Sequence, residues 1–193
     1  MTSSSTDSPL VVAGTNAWRE WLEVNDDHSD GVWLMLAKKG TTSPTSLTYQ
    51  EALEEALCSG WIDGQRKAFD EYVFLQRFTP RRTGSVWSQR NVAVVARLVS
   101  EGRLRPRGID EIERAKADGR WERAYPGSAA VEVPVELTEA LAAEPAAQIA
   151  FAALSRSERY SALHPILTAP NEALRAKRVN RLLMRLKTRR ADD

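Results

Sequence analysis

Between Gly60 and Asn91 the chain reads GWIDGQRKAFDEYVFLQRFTPRRTGSVWSQRN, and no other stretch restricts the fold as much. Residues 62–69 and 72–78 read as two strands separated only by Asp70-Glu71, so antiparallel pairing is the simplest connection. Thr79-Pro80 stops the second strand, because proline has no N–H to donate to a ladder. Ser85 is placed to cap a helix from Val86 to about Ser100, with Gly102 ending it. A lone hairpin is marginal in water, so the flanking segments must supply the surface that covers it.

Upstream, Leu10 to Ala13 reads as a short edge strand. Gly14-Thr15 opens a helix whose apolar residues Ala17, Trp18, Trp21 and Leu22 share one face, and Asn25-Asp26-Asp27 ends it. Residues 32–38, VWLMLAK, are too short and too apolar for a surface helix and read as a buried central strand. Thr48 with Glu51 forms a capping box, opening a helix that buries Leu53, Ala56, Leu57 and Cys58, with Gly60 at its C′ position.

Downstream, a helix from Pro106 to Asp118 ends at Gly119. Tyr125 to Val133 shows no periodicity and reads as a linker. Everything beyond Pro134 has helical periodicity. Pro134 and Pro145 suit first-turn positions, Ser155 with Glu158 is a second capping box, and Pro165 is expected to kink or split its helix. The last helix is predicted over Asn171 to Lys187, burying Leu174, Val179, Leu182, Leu183 and Leu186. The expected class is therefore α+β: a small, mainly antiparallel sheet with flanking helices, then an all-helical C-terminal half. The expected domains are residues 1–130 and 131–193.

A formal net charge of +1 gives no overall bias toward nucleic acid or membranes, so either role needs a local patch. No apolar run is long enough to span a bilayer, and the N-terminus lacks the basic and apolar regions of a signal peptide; residues Thr2 to Ser8 read as a frayed tail. One cysteine, Cys58, excludes an internal disulfide. A cytoplasmic location is the expectation.

GWIDG at 60–64, FTPRR at 78–82, SVWSQRN at 85–91 and DGRWERAY at 118–125 resemble the YdeI/OmpD-associated family, whose members are often labelled bacteriocin-protection proteins. PVELTEALAAEPAAQIAFAALSRSERY at 134–160, with the basic helix after it, resembles that family's C-terminal helical module. The likeness is read over nearly the whole chain after about residue 15. It implies a bacterial protein with a protective or stress role, and it carries over no catalytic residue. Thr168 to Glu172 departs from the family's more basic entry to the last helix.

The densest set of chemistry-bearing side chains lies in the same central stretch. Arg81 and Arg82 follow a strand end and precede the predicted helix start. Two guanidinium forks beside a helix N-terminus suit a carboxylate or phosphate, with Ser85, Ser88 and Asn91 as further polar partners. The competing reading pairs an arginine with Asp63 or Asp70 to tie strands together. Asp63 is the best candidate for an acid–base group, against a turn-capping or ion-pairing role. Trp61 and Trp87 form either a stacking wall for a flat ligand or part of the core, and the core is favoured. Cys58 has no base in a supporting motif and reads as inert packing.

With two histidines and one cysteine no metal site is expected. No cofactor is expected either: G-x-S-x-G, a P-loop and G-x-G-x-x-G are all missing. The last helix carries Arg175, Lys177, Arg178, Arg181, Arg185, Lys187, Arg189 and Arg190, with no acid between Ala173 and Ala191. Arg175, Arg178, Arg181 and Arg185 are its candidate nucleic-acid contacts, against a reading as a solvated face whose cations suit the helix dipole. The expected partner is a small anionic ligand bound near Arg81 and Arg82. The alternatives are an enzyme using Asp63, or a nucleic-acid-binding module using the last helix. The residue pattern leaves the oligomeric state open.

Overall fold

The computed structural model describes residues 8–188. The expected frayed tail at Thr2 to Asp7, and Arg189 and Arg190, lie outside the described residues. The chain divides into two compact units: residues 1–85 with 91–121, and residues 86–90 with 122–193.

In the first unit α1 spans Thr15–Asn25, β1 Val32–Ala37, α2 Tyr49–Cys58, β2 Trp61–Ala68 and β3 Val73–Pro80. The expected antiparallel hairpin is present, and Asp70 makes its turn by accepting from the N–H groups of Tyr72 and Val73 at 2.7 and 2.8 Å. The strand order is β1-β3-β2, so the central strand is β3 and the expectation for residues 32–38 is corrected. β1 reads as central because Leu34, Met35, Leu36 and Ala37 are all buried, on both faces. Its outer edge is closed by short pieces of chain. Leu10 forms a single parallel bridge with Leu34 where an edge strand was expected, and Ala37 N–H donates to the Leu47 carbonyl at 2.8 Å.

The pairing of β2 with β3 shifts register between Asp63 and Arg66. The buried side chain of Gln76 donates to the Gly64 and Gln65 carbonyls at 2.9 and 3.1 Å, which satisfies the oxygens that the bulge frees from the ladder. Strand β3 continues through Pro80, two residues past the expected end at Phe78, because Pro80 occupies the last paired position, opposite Trp61.

Trp18, Leu22, Leu34, Leu36, Ala52, Ala56, Trp61, Phe74 and Phe78 make the core between the sheet and helices α1 and α2. The Thr48–Glu51 capping box forms as expected and is worth about 1 kcal/mol. Gly60 stands at C′ with φ +69°, a backbone state that glycine adopts without strain. Helix α4, Pro106–Ala117, packs on α2 through Gly108, where an added Cβ would meet the Cys58 carbonyl oxygen at 2.2 Å.

Helix α3 spans Gln89–Ser100, so the expected start at Val86 is corrected. The Ser85 hydroxyl accepts from Arg82 N–H at 2.9 Å and its carbonyl accepts from Arg120 Nη1 at 2.8 Å, which takes both groups away from a helix start. Trp87 and Gln89 instead pair with Tyr125: Tyr125 N–H donates to Trp87 at 3.0 Å, and Gln89 N–H donates to Tyr125 at 2.9 Å.

The second unit holds α5 Val135–Ala142, α6 Pro145–Ala152, α7 Arg156–Leu167 and α8 Glu172–Thr188. Among the described residues from 134 onward there is no strand, as expected. Leu137, Phe151, Leu163, Ile166, Val179 and Leu182 are central to its core. Of the five residues expected inside from α8, Val179, Leu182 and Leu186 are buried, while Leu174 and Leu183 are half-buried. The Ser155–Glu158 capping box opens α7. Pro165 lies inside α7 rather than splitting it, because it falls in the last turn, where the carbonyl it leaves free belongs to the exposed Ser161. Asn171 caps α8, its Oδ1 accepting from Leu174 N–H at 2.9 Å.

Candidate functional site

The residues singled out in the central stretch take up separate duties. Asp63 Oδ2 accepts from the Tyr49 hydroxyl at 2.8 Å, which ties β2 to the first turn of α2. Arg81 is buried, and its N–H donates to the Gly60 carbonyl at 3.0 Å. Arg82 is exposed on the turn that Ser85 closes. The helix start expected beside the two arginines lies further on, at Gln89, with Ser88 just before it. Trp61 is fully buried in the first unit, edge-on to Trp21 with ring centres 5.8 Å apart. Trp87 is buried and belongs to the second unit; Asn91 is buried and belongs to the first. Cys58 is buried, and burial pushes its thiol up to about 11.

A cluster that the sequence did not announce surrounds Glu55, which is 1% exposed. Its Oε1 accepts from Arg19 Nη2 at 2.9 Å and Arg103 Nη2 at 2.8 Å; its Oε2 accepts from Arg19 Nε at 3.1 Å and Arg105 Nη1 at 3.0 Å. Burial alone would raise its pKa, but the three guanidinium groups overcome that and hold the carboxyl at about 2. Glu54 extends the network to Arg97 and Arg103 at 2.5 and 3.0 Å. Every carboxylate oxygen here is taken, so the cluster joins α1, α2 and the α3–α4 turn and offers nothing to a ligand. The only sequence signal was the arginines Arg97, Arg103 and Arg105, each more than forty positions from Glu54 or Glu55.

The second unit carries the arrangement with chemistry to spare. Arg178, Arg181 and Arg185 stand at i, i+3 and i+7 on α8 and line one wall of a groove against α7. One hollow of about 470 Å³ runs past His164, Pro165, Thr168 and the three arginines; a second of about 380 Å³ runs past Leu154, Ser157, Glu158 and Ser161. Ala162 and Arg185 line both, so the two adjoin. Ala162, Ile166, Leu182 and Leu186 form an apolar floor.

The neighbouring cations are mostly occupied. Arg175 pairs with Glu136 at 3.3 Å and Lys187 with Glu144 at 2.5 Å, while Arg178 Nη1 donates to the Pro165 carbonyl at the end of α7. Arg181 and Arg185 are exposed, and their guanidinium groups have no hydrogen bond or ion pair among the described residues. His164 sits edge-on to Tyr125, ring centres 4.7 Å apart, with Tyr160 at 5.9 Å. Burial, and then the charge of Arg178, lower its pKa, so the ring is neutral at pH 7. Two guanidinium groups above an apolar floor, with the hydroxyls of Ser157, Ser161 and Thr168 nearby, are chemically suited to an oxyanion. Of the four arginines named from sequence on α8, the structure gathers Arg178, Arg181 and Arg185 and diverts Arg175. Among the described residues no group of three or more His, Cys, Asp or Glu is placed to hold a metal ion, and no helix is long and apolar enough to cross a membrane.

Fold and groove together define an α+β domain followed by a helical module with a basic trough. The chain belongs to the family described as a domain of unknown function (DUF8412), which matches residues 10–111, just over half of its length, and its helical part is matched over residues 130–189 by the family described as bacteriocin-protection, YdeI or OmpD-associated. The YdeI/OmpD likeness expected over most of the chain thus holds for the C-terminal part, and GWIDG, FTPRR and SVWSQRN fall within the other match. No curated protein and no solved structure matches the chain.

Proposed function

We propose that the protein binds an anionic ligand in the trough between α7 and α8. The observation that carries this reading is the pair Arg181 and Arg185, whose exposed guanidinium groups have no partner among the described residues and stand above an apolar floor, while Arg175, Arg178 and Lys187 on the same helix are held by acids or a carbonyl. Binding in the native state alone stabilises a protein by mass action, about 2.7 kcal/mol at a hundredfold excess over the dissociation constant. Phosphate and sulfate should therefore raise the melting temperature of the wild type, and Arg181→Ala with Arg185→Ala should abolish that rise without lowering the ligand-free melt. No response in the wild type ends the reading. Loss of the response in Arg82→Ala alone would move the ligand back to the end of β3. The name of the family matched by the module supports a protective role. A cytoplasmic setting is part of the proposal, supported by a lone, buried, reduced Cys58.

A further inference from the structure

We infer that the trough takes a phosphodiester strand, so that the protein binds single-stranded nucleic acid with little regard to sequence; this rests on the anion-binding reading above. The first ground is length. Arg178 to Arg185 covers about 10 Å of helix axis, while a strand in a helix advances ~3.4 Å per nucleotide. A lone phosphate meets one or two of these guanidinium groups and leaves the rest uncompensated, whereas two or three successive phosphates meet all three.

The second ground is shape. The two hollows adjoin at Ala162 and Arg185 along α7, and Ser157, Ser161, Pro165, Arg181 and Arg185, which line them, are exposed.

The third ground is the balance of charge and the floor. Glu158 is the one carboxylate lining the trough, and its Oε2 is engaged by Ser155 N–H at 2.9 Å. Lys177 adds an exposed cation on the same helix, without a partner among the described residues. The apolar floor suits sugar and base faces, which a chain of carboxylates lacks. Asn and Gln, the usual readers of adenine edges, are missing from the lining, so selectivity among bases is not expected.

The test uses the full-length chain and a fluorescent twelve-nucleotide oligothymidylate, followed by anisotropy over a salt series. Neutralising three phosphates gives a slope of log K against log salt of about −2, since single strands contribute about −0.7 per phosphate. Arg181→Ala with Arg185→Ala should weaken binding at least tenfold and flatten the slope to about −0.7, with an unchanged circular dichroism spectrum. Arg181→Lys with Arg185→Lys, which keeps the charge, should retain most of the affinity. A blunt duplex, polyglutamate and vesicles rich in an anionic phospholipid should each bind at least tenfold more weakly than the oligonucleotide. Equal or tighter binding of any of these, or equal binding by the alanine variant, overturns the inference. If phosphate and sulfate stabilise the protein but the oligonucleotide does not bind, the strand fails and the anion site stands; if none of them acts, both fail.

Discussion

Arg105 holds Glu55 twice: Nη1 donates to the carboxylate Oε2 at 3.0 Å, and Nη2 to the residue's own carbonyl oxygen at 2.5 Å. Its Nε meanwhile donates to the Ser59 hydroxyl at 2.7 Å, so one side chain stitches the last turn of α2. Glu55→Gln leaves Arg19, Arg103 and Arg105 around a neutral amide. Breaking a buried ion cluster from one side costs about 3–5 kcal/mol, and the urea midpoint should fall accordingly. A loss below 1 kcal/mol would show the cluster to be a bystander.

The same carboxylate sets an acid limit. Its folded pKa, about 2, lies below the unfolded value near 4.5, so the stability it contributes is complete above pH 4.5 and is lost as the pH falls through about 2. Urea midpoints of the wild type should drop between pH 5 and pH 2 more steeply than those of Glu55→Gln, which has no such proton to take up. Parallel curves would refute this.

At His164 the sign runs the other way. Burial and Arg178 favour the neutral ring, so its stabilisation is present above about pH 6.5 and lost as the pH falls through the lowered folded value. An anion in the trough counters that depression and favours the charged ring. Sulfate affinity should therefore rise as the pH drops from 8 to 5.5, in a range where sulfate itself keeps its charge. His164→Asn should flatten the profile, and a flat wild-type profile would sink the idea.

Gln76 is the one side chain that answers the carbonyls of Gly64 and Gln65, and it does so from a buried position. Gln76→Leu keeps the volume and removes both donors. Its cost should be about 1–3 kcal/mol, read from urea unfolding with the slope unchanged.

The helix punctuation was legible because capping is local. Thr48 with Glu51, Ser155 with Glu158, and Gly60 at C′ each act within four residues of their helix end. Ser85 shows where that reasoning stops. A serine followed by a helical pattern looks like a cap, but its hydroxyl goes to Arg82, its carbonyl goes to Arg120, and Trp87 answers Tyr125. The Glu55 cluster was out of reach for the same reason, since its partners lie 36 to 50 residues away. Strand order was equally hidden: β1 has the apolar run of a central strand because both of its faces are covered, while its hydrogen-bonding edge is closed by Leu10 and Leu47. On α8 the arginines could be counted from the letters. Which of them stay free depended on where Glu136, Glu144 and the Pro165 carbonyl came to rest.

The irregular step between Asp63 and Arg66 decides which side of the sheet is polar. Strict alternation from Asp63, which faces Phe78, would send Gln65 and then Lys67 to the apolar side. The extra residue resets the beat: Arg66 lies over the Phe74 ring at 3.9 Å, Ala68 pairs opposite Phe74, and Lys67 turns to the other side, over Trp33 at 4.1 Å. A relative lacking a single residue at 64–65 would lose the bulge, yet it would keep Arg66 opposite Gln76 and Lys67 opposite Leu75, with both charges on their present sides. When such chains are aligned, a one-residue gap at this point signals a straightened ladder with the same two faces, whereas a gap elsewhere in β2 would invert every side chain beyond it.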